Sequence, residues 1–217
     1  MEPTKQNGEV IWINKLILGG RIYTGFNFES PNLHSFRMPG IRNLRVGDCA
    51  VYNYPYGWEL GRIGFRINYV LAKRCIACPG DTISIINGHY VNSRTGSVGV
   101  PTEKEEELIS LSDSLLLRNK SFKAGHFAVE QERWTIKNFG PIIVPAKGMT
   151  IFVDSLGKQY YSRYIEYETG KSINEIESNF YTFQQDYYFF AGDNVVNSRD
   201  SRYDGFVPEQ YIIGIFK

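Results

Sequence analysis

Residues 65–78 constrain the fold of this chain more than any other segment. Apolar side chains recur at every second position along it, and a period of two is typical of a β-strand. One face of the predicted strand carries Phe65, Ile67, Tyr69, Leu71, Lys73, Cys75 and Ala77. Only Lys73 among these is charged. The segment therefore predicts a strand with a lysine placed on its apolar face.

A charged lysine on an apolar face destabilises the fold unless its ammonium reaches water or loses its proton. If Lys73 lies near the strand end, its aliphatic stem carries the charge out to solvent. If it is buried, desolvation lowers its pKa until the neutral amine acts as a general base near neutral pH. The pattern alone leaves both interpretations open. Arg74 falls on the more polar face and needs no special account.

Further strands are predicted on both sides of a mixed middle region. Asn87-Gly88 is a strong signal for a tight hairpin turn between strands at residues 83–86 and 89–92. Other strands or extended segments are predicted at residues 46–54, 139–145, 186–191 and 211–216.

Two helices are predicted in the middle region. Residues 103–119 begin with acidic side chains and carry leucines at helical spacing, with Thr102 as the predicted N-cap. Residues 155–169 form the second helix, which Gly170 is expected to end.

This order of elements predicts a mainly β protein. Residues 20–84 and 185–217 are expected to build a β-rich core from both ends of the chain. Residues 85–184 then form an inserted α+β cap region.

The composition agrees with a folded, strand-rich protein. Hydrophobic residues make up 42% of the 217 residues, and the net charge of +1 argues against nucleic acid as a partner. Fifteen Tyr and fourteen Phe suit a β core, and such rings also suit a membrane surface. No apolar run reaches the ~18 residues that cross a bilayer, and the stretch at residues 11–18 is too short and carries a lysine. The chain is thus expected to be soluble or to belong to a protein whose anchor is not in this sequence.

The cysteines do not form a disulfide framework, because their number is small and odd. They are Cys49, Cys75 and Cys78. A Cys-x-x-Cys pair can be a redox motif or half of a zinc site, but the three histidines (His34, His89 and His126) are not clustered. Positions three apart on a strand point to opposite faces. We therefore expect ordinary half-buried thiols, and no metal or cofactor.

The run that follows the apolar-face lysine resembles a motif of type I signal peptidases. It reads Lys73-Arg74-Cys75-Ile76-Ala77-Cys78-Pro79-Gly80-Asp81. In that family a lysine and an arginine lead a strand into Pro-Gly-Asp, and the lysine is the general base. The resemblance implies this role for Lys73.

A second run, residues 192–208, resembles the last conserved box of the same family. It begins Gly192-Asp193-Asn194 and continues through Asn197-Ser198-Arg199-Asp200-Ser201-Arg202 to Gly205-Phe206-Val207-Pro208. The resemblance implies that Ser198 orients the lysine and that Asp200 pairs with Arg202. Asp193 and Asn194 would belong to the framework of the site.

The first box of the family is more divergent here. It is represented by Ser35-Phe36-Arg37-Met38-Pro39-Gly40, and Gly47-Asp48 follows later than usual. The resemblance implies that Ser35 is the nucleophile. Leu33 stands where many relatives have a serine of the oxyanion hole, so backbone N–H groups are expected to fill that role.

The implied activity is that of a membrane-associated serine endopeptidase, which removes signal peptides from exported preproteins through a serine–lysine dyad and an acyl-enzyme. Its catalytic domain would lie on the outer side of the bacterial cytoplasmic membrane. A self-cleaving repressor-type protease has a related core but would need a DNA-binding domain before it. The alternative of another class is a non-catalytic signal-peptidase-like protein that binds exported substrates or assists their assembly.

Overall fold

A computed structural model describes residues 1–25, 34–56, 62–100, 102–118, 126–127 and 134–217. Antiparallel strands dominate these residues, so the predicted mainly β class is confirmed. The strands are β1 Arg21–Tyr23, β2 Ser35–Arg37, β3 Cys49–Asn53, β4 Val70–Ala77, β5 Thr82–Ile86, β6 His89–Asn92, β7 Gly96–Val98, β8 Phe139–Ile143, β9 Thr150–Phe152, β10 Phe180–Thr182, β11 Tyr187–Ala191, β12 Val207–Pro208 and β13 Ile212–Phe216. The α-helices are α1 Thr102–Ser110, α2 Asp113–Arg118, α3 Ser155–Thr169 and α4 Ser201–Asp204.

Strand β4 lies at the centre of a five-stranded antiparallel sheet with the order β12-β11-β4-β3-β13. A four-stranded sheet has the order β7-β6-β5-β8, and β1–β2 and β9–β10 form two-stranded sheets. On one side, β4 pairs with β3 from Val70 to Arg74. On the other side, its pairing with β11 begins only at Arg74. The edge of residues 70–73 that faces away from β3 is therefore free of strand pairing in the described structure.

The predicted strand at residues 65–78 is shorter in the structure because its first part forms a turn, in which the Tyr69 N–H donates to the Arg66 carbonyl, and bonds to a side chain. The Asn53 amide donates hydrogen bonds to the backbone oxygens of Arg66 and Ile67, at 3.0 and 3.1 Å. These contacts replace a regular ladder, which starts at Val70. Phe65 is nevertheless buried in the core.

The predicted helix at residues 103–119 is two helices, α1 and α2. The buried Lys137 ammonium donates to the carbonyls of Ile109 and Leu111, at 3.0 and 2.8 Å, and so satisfies the carbonyl end of α1. The Ser112 hydroxyl accepts a hydrogen bond from the Leu115 N–H at the start of α2. Thr102 is the first residue of α1, and its side chain lies outside the described part.

Two local predictions are confirmed residue by residue. Helix α3 covers the predicted span, with Asp154 accepting from the Gly157 N–H at 2.7 Å and Gly170 closing the helix at a φ of 69°. Asn87 and Gly88 both have positive φ between β5 and β6, as the tight hairpin requires.

The core is rich in aromatic rings and lies between the sheets and α3. The inward face of α3 contributes Tyr160, Tyr161, Tyr164 and Ile165. The rings of Tyr161 and Tyr164 pack with Phe206, which follows α4, and the Tyr164 ring also packs with Tyr187 of β11. The predicted division at residue 85 falls inside β5, and the arrangement of core and insertion stays a prediction.

Two glycines with the same φ angle test how tightly β8 packs on β5. Gly140 and Gly148 both have a φ of 81°. A Cβ at Gly140 would lie 2.5 Å from the Ile83 carbonyl oxygen, whereas a Cβ at Gly148 would meet nothing within 4 Å. We expect Gly148→Ala to cost about 1–2 kcal/mol of unfolding free energy from backbone strain. Gly140→Ala should cost about 1–3 kcal/mol more, because backbone atoms cannot move aside.

Chemical denaturation of both variants beside the unsubstituted chain measures this difference. Equal losses for Gly140→Ala and Gly148→Ala would show that the close approach of β8 to β5 is not as described.

Candidate active site

Lys73 lies on β4 beside the unpaired strand edge. Its ammonium donates a hydrogen bond to the Ser198 hydroxyl at 2.8 Å. Burial lowers the pKa of Lys73 below its ordinary value, and the nearby Arg202 acts in the same direction. Asp200, Asp193 and Asp204 oppose this shift through their negative charges. Burial outweighs them, so the neutral amine is favoured more than in a free lysine.

Gly192 allows Ser198 to reach the lysine. It directly follows β11, where Ala191 pairs with Arg74, the neighbour of Lys73. A Cβ at Gly192 would lie 2.1 Å from the Ser198 Oγ and 3.1 Å from the Lys73 Nζ. A side chain here would displace the serine, so this position requires glycine.

A buried ion pair supports the loop that carries Ser198. The Asp200 carboxylate accepts from the Arg202 Nε and a terminal guanidinium nitrogen, both at 2.8 Å, and from the Gly192 N–H at 2.9 Å. Both side chains are almost completely excluded from solvent. Burial disfavours the Asp200 carboxylate, yet the Arg202 charge keeps its pKa below the ordinary value. The structure thus brings together the predicted pair.

Asp193 has a partner that the sequence did not indicate. Its buried carboxylate binds the Arg74 guanidinium through two hydrogen bonds, at 2.8 and 2.7 Å, and also accepts from the Thr4 hydroxyl. The sequence indicated no role for Arg74 beyond its place on the more polar face, but Arg74 links β4 to the start of the Ser198 loop. The signal that could have found it is its position beside Lys73 in the motif.

A surface cavity of about 460 Å³ opens at this edge. Its wall includes residues 70–73, Asn194, Asn197, Phe216 and several residues of the segment 1–11. The Asn194 carbonyl accepts from the Asn197 N–H at 3.0 Å, which closes a turn before Ser198. Asn194 therefore takes part in the shape of the site through its backbone. Sequence reasoning did not place the first residues of the chain here.

Ser35 lies in β2, half-buried and opposite Tyr23 of β1. Arg37 anchors this hairpin, with hydrogen bonds to the carbonyls of Gly19 and Ile212. Ile212 belongs to β13, which is separated from β4 by β3. In the described structure no hydrogen bond joins Ser35 to Lys73, so the proposed dyad stays a prediction. Leu33 lies outside the described residues.

The prediction that the Cys75 and Cys78 side chains point to opposite faces of a strand is wrong. Strand β4 ends at Ala77, so the alternation of faces does not extend to Cys78. The Cys75 and Cys78 sulfurs lie 3.8 Å apart. The described residues contain no group of three or more side chains that could hold a metal ion.

Among the residues that the structure describes, none of the helices has the length and apolar character needed to cross a membrane. Large apolar side chains are nevertheless exposed near the β1–β2 hairpin. Trp12 and Ile41 are 90% and 81% exposed, and Leu16, Phe36 and Met38 are also exposed.

Comparisons with known proteins bear on the family of the chain. A sequence profile of the family described as signal peptidase, peptidase S26, matches residues 1–217. The chain is 27% identical over 227 residues to signal peptidase I of Buchnera aphidicola subsp. Baizongia pistaciae (strain Bp), covering 99% of this chain and 64% of that protein. It thus spans less than two thirds of that relative's length.

A crystal structure of a signal peptidase I from Enterococcus faecalis V583 is also similar. It is 17% identical, with 81% of this chain and 98% of that chain covered and a TM-score of 0.39. Since the family profile spans the whole sequence, the chain belongs to the signal peptidase family, peptidase S26.

Proposed function

We propose that this protein is a serine endopeptidase that removes signal peptides from exported preproteins, with Lys73 as its general base. The observation that carries the proposal is the hydrogen bond between the partly buried Lys73 amine and Ser198. A lysine that is desolvated and oriented by a hydroxyl has the properties of a base in acyl transfer. Membership in the peptidase family supports the same chemistry.

In the proposed reaction, neutral Lys73 accepts the proton of the Ser35 hydroxyl as its oxygen attacks the scissile carbonyl. Lys73 then gives that proton to the leaving amine, and an acyl-enzyme remains on Ser35. Water, deprotonated by the same lysine, attacks the acyl carbon. The bond from that carbon to the Ser35 oxygen then breaks, Lys73 returns the proton to Ser35, and the peptide is released with a new carboxyl end. Ser198 is a positioning residue in this scheme. Backbone N–H groups would bind the oxyanion.

The free edge of β4 offers a binding mode for the substrate. Residues 70–73 have no strand partner on the side away from β3 in the described structure, and they border the cavity beside Lys73. An extended peptide can add to such an edge through backbone hydrogen bonds, while pockets select alternate side chains. We infer that small residues at −3 and −1 enter these pockets.

The exposed apolar side chains fit a membrane-associated enzyme. Ile22 and Phe36 are paired across β1 and β2 and are both exposed, and Met38 and Ile41 continue along the same segment. Tryptophan and other apolar side chains at a surface partition into the headgroup region of a bilayer. We place this face against the outer surface of the bacterial cytoplasmic membrane.

A non-catalytic signal-peptidase-like protein is the second candidate. The specific observation that favours it is the position of Ser35 on a hairpin anchored at β13 by Arg37, with no hydrogen bond to Lys73 in the described structure. Such a protein would bind exported chains at the free edge without cutting them.

Cleavage of matched peptides tests the proposal directly. A peptide with Ala-x-Ala before the scissile bond should be cut, and the same peptide with Phe at −1 should not, because a shallow pocket excludes a large ring by overlap. Ser35→Ala should abolish cutting and leave binding and folding nearly unchanged. Ser114→Ala, which removes an exposed hydroxyl from α2, is the matched control and should cut normally.

Equal cutting of the Ala and Phe peptides contradicts the signal-peptidase specificity. Cutting by Ser35→Ala contradicts the assignment of Ser35 as the nucleophile. If the unsubstituted chain binds the Ala-x-Ala peptide and never cuts it, the non-catalytic alternative is supported instead.

The pH dependence of cutting tests the role of Lys73. Burial lowers its pKa below 10.5, so the active neutral amine forms at a lower pH than in free lysine. Activity should therefore rise with pH through that lowered pKa. Lys73→Arg should be as inactive as Lys73→Ala, since arginine keeps its proton. Lys158→Arg, on the exposed surface of α3, should leave the rate unchanged. A flat rate from pH ~5 to ~9 would argue against this base.

A further inference from the structure

Cys75 and Cys78 form a closely spaced thiol pair that the proposed peptidase reaction does not use. Their sulfurs are 3.8 Å apart, at the point where β4 passes into the Pro79-Gly80 turn. The Cys75 N–H donates to the Asp48 carbonyl at 2.8 Å, and the Cys78 N–H donates to the Asp81 carboxylate at 2.8 Å. Backbone hydrogen bonds therefore hold both residues, and the sulfurs must close from 3.8 Å to about 2.05 Å to form a disulfide.

The two thiols differ in their access to solvent. Cys75 is fully buried, whereas Cys78 is 8% exposed and lines a surface cavity of about 480 Å³. Arg45 and Arg94 also line this cavity, and Arg94 forms an ion pair with the buried Asp81. A small molecule that enters would reach Cys78 first. Asp81 and Asp186 line the cavity too, so Arg45 and Asp186 suit a molecule that carries both a carboxylate and an ammonium group.

The thiols also differ in acidity. The hydrogen bond between the two thiols lowers the pKa of Cys78, against the effect of burial. Burial raises the pKa of Cys75 well above its ordinary value. Because the thiolate is the nucleophile in exchange reactions, Cys78 is the sulfur that attacks and Cys75 the one that resolves.

We propose that Cys75 and Cys78 are a thiol–disulfide exchange site that takes a small disulfide bearing carboxylate and ammonium groups as its oxidant. The Cys78 thiolate attacks one sulfur of that disulfide, whose S–S bond breaks and releases one thiol after protonation. Cys75 then loses its proton and attacks Cys78 in the mixed disulfide, which releases the second thiol. Two protein thiols are oxidised to one disulfide, and one small disulfide is reduced to two thiols. The site is independent of the proposed peptidase activity.

The test uses the folded Cys49→Ala chain, in which Cys75 and Cys78 are the remaining cysteines. It is incubated with oxidised glutathione and analysed by intact mass and peptide mapping. We expect loss of two hydrogen atoms without a stable adduct, a cross-linked peptide joining Cys75 to Cys78, and full reversal by dithiothreitol. Cys78→Ala, which keeps Cys49 and Cys75, is the matched control and should form no internal disulfide.

Three results would overturn the proposal. In the first, both thiols remain free under conditions that oxidise a free dithiol. In the second, glutathione stays on one cysteine while the other remains free. In the third, Cys78→Ala forms an internal disulfide as readily as Cys49→Ala. If Cys49→Ala does not fold, differential alkylation and mapping of the unsubstituted chain identify which cysteines are joined, and a bond that includes Cys49 counts against the proposal.

Discussion

The buried pair of Asp200 and Arg202 is the interaction on which the candidate site depends. It is enclosed by the core, and its carboxylate also binds the Gly192 N–H at the end of β11. Removal of one partner from a buried ion pair typically costs about 3–5 kcal/mol, because the other charge is left unpaired. The pair therefore fixes the loop from Gly192 to Arg202 against the central sheet. That loop presents Ser198 to Lys73.

A second ion pair ties the same loop to β4 itself. Arg74 follows Lys73 in the sequence, and Asp193 follows Gly192. The two hydrogen bonds between Arg74 and Asp193 join the strand to the loop. One strand thus supplies the candidate base and, at the next position, the arginine that holds the base's partner in place. Alternation of strand side chains makes this possible, because the two residues point to opposite faces.

Structure formed by residues close together in the sequence was predicted well. Contacts that depend on irregular backbone were not. The hairpin at Asn87-Gly88 and helix α3 follow from local turn and cap chemistry, and the Asp200–Arg202 pair follows from a motif. The Cys75–Cys78 contact was missed because β4 ends before Cys78 and strand alternation no longer applies. The start of β4 was missed because the Asn53 side chain takes the place of a backbone partner. The predicted contact of Ser35 with Lys73 depends on the tertiary placement of the β1–β2 strand pair, which no local pattern fixes.

Burial lowers the pKa of the Lys73 ammonium below that of a free lysine, and Ser198 orients the amine. The most direct measurement is an NMR titration of the isotopically labelled Lys73 side chain, assigned by comparison with Lys73→Arg. The expected midpoint for Lys73 lies below the ordinary 10.5. A midpoint for Lys73 at or above 10.5 would contradict the role of this residue as a base, because the lysine would then be charged and unable to accept the proton of a serine.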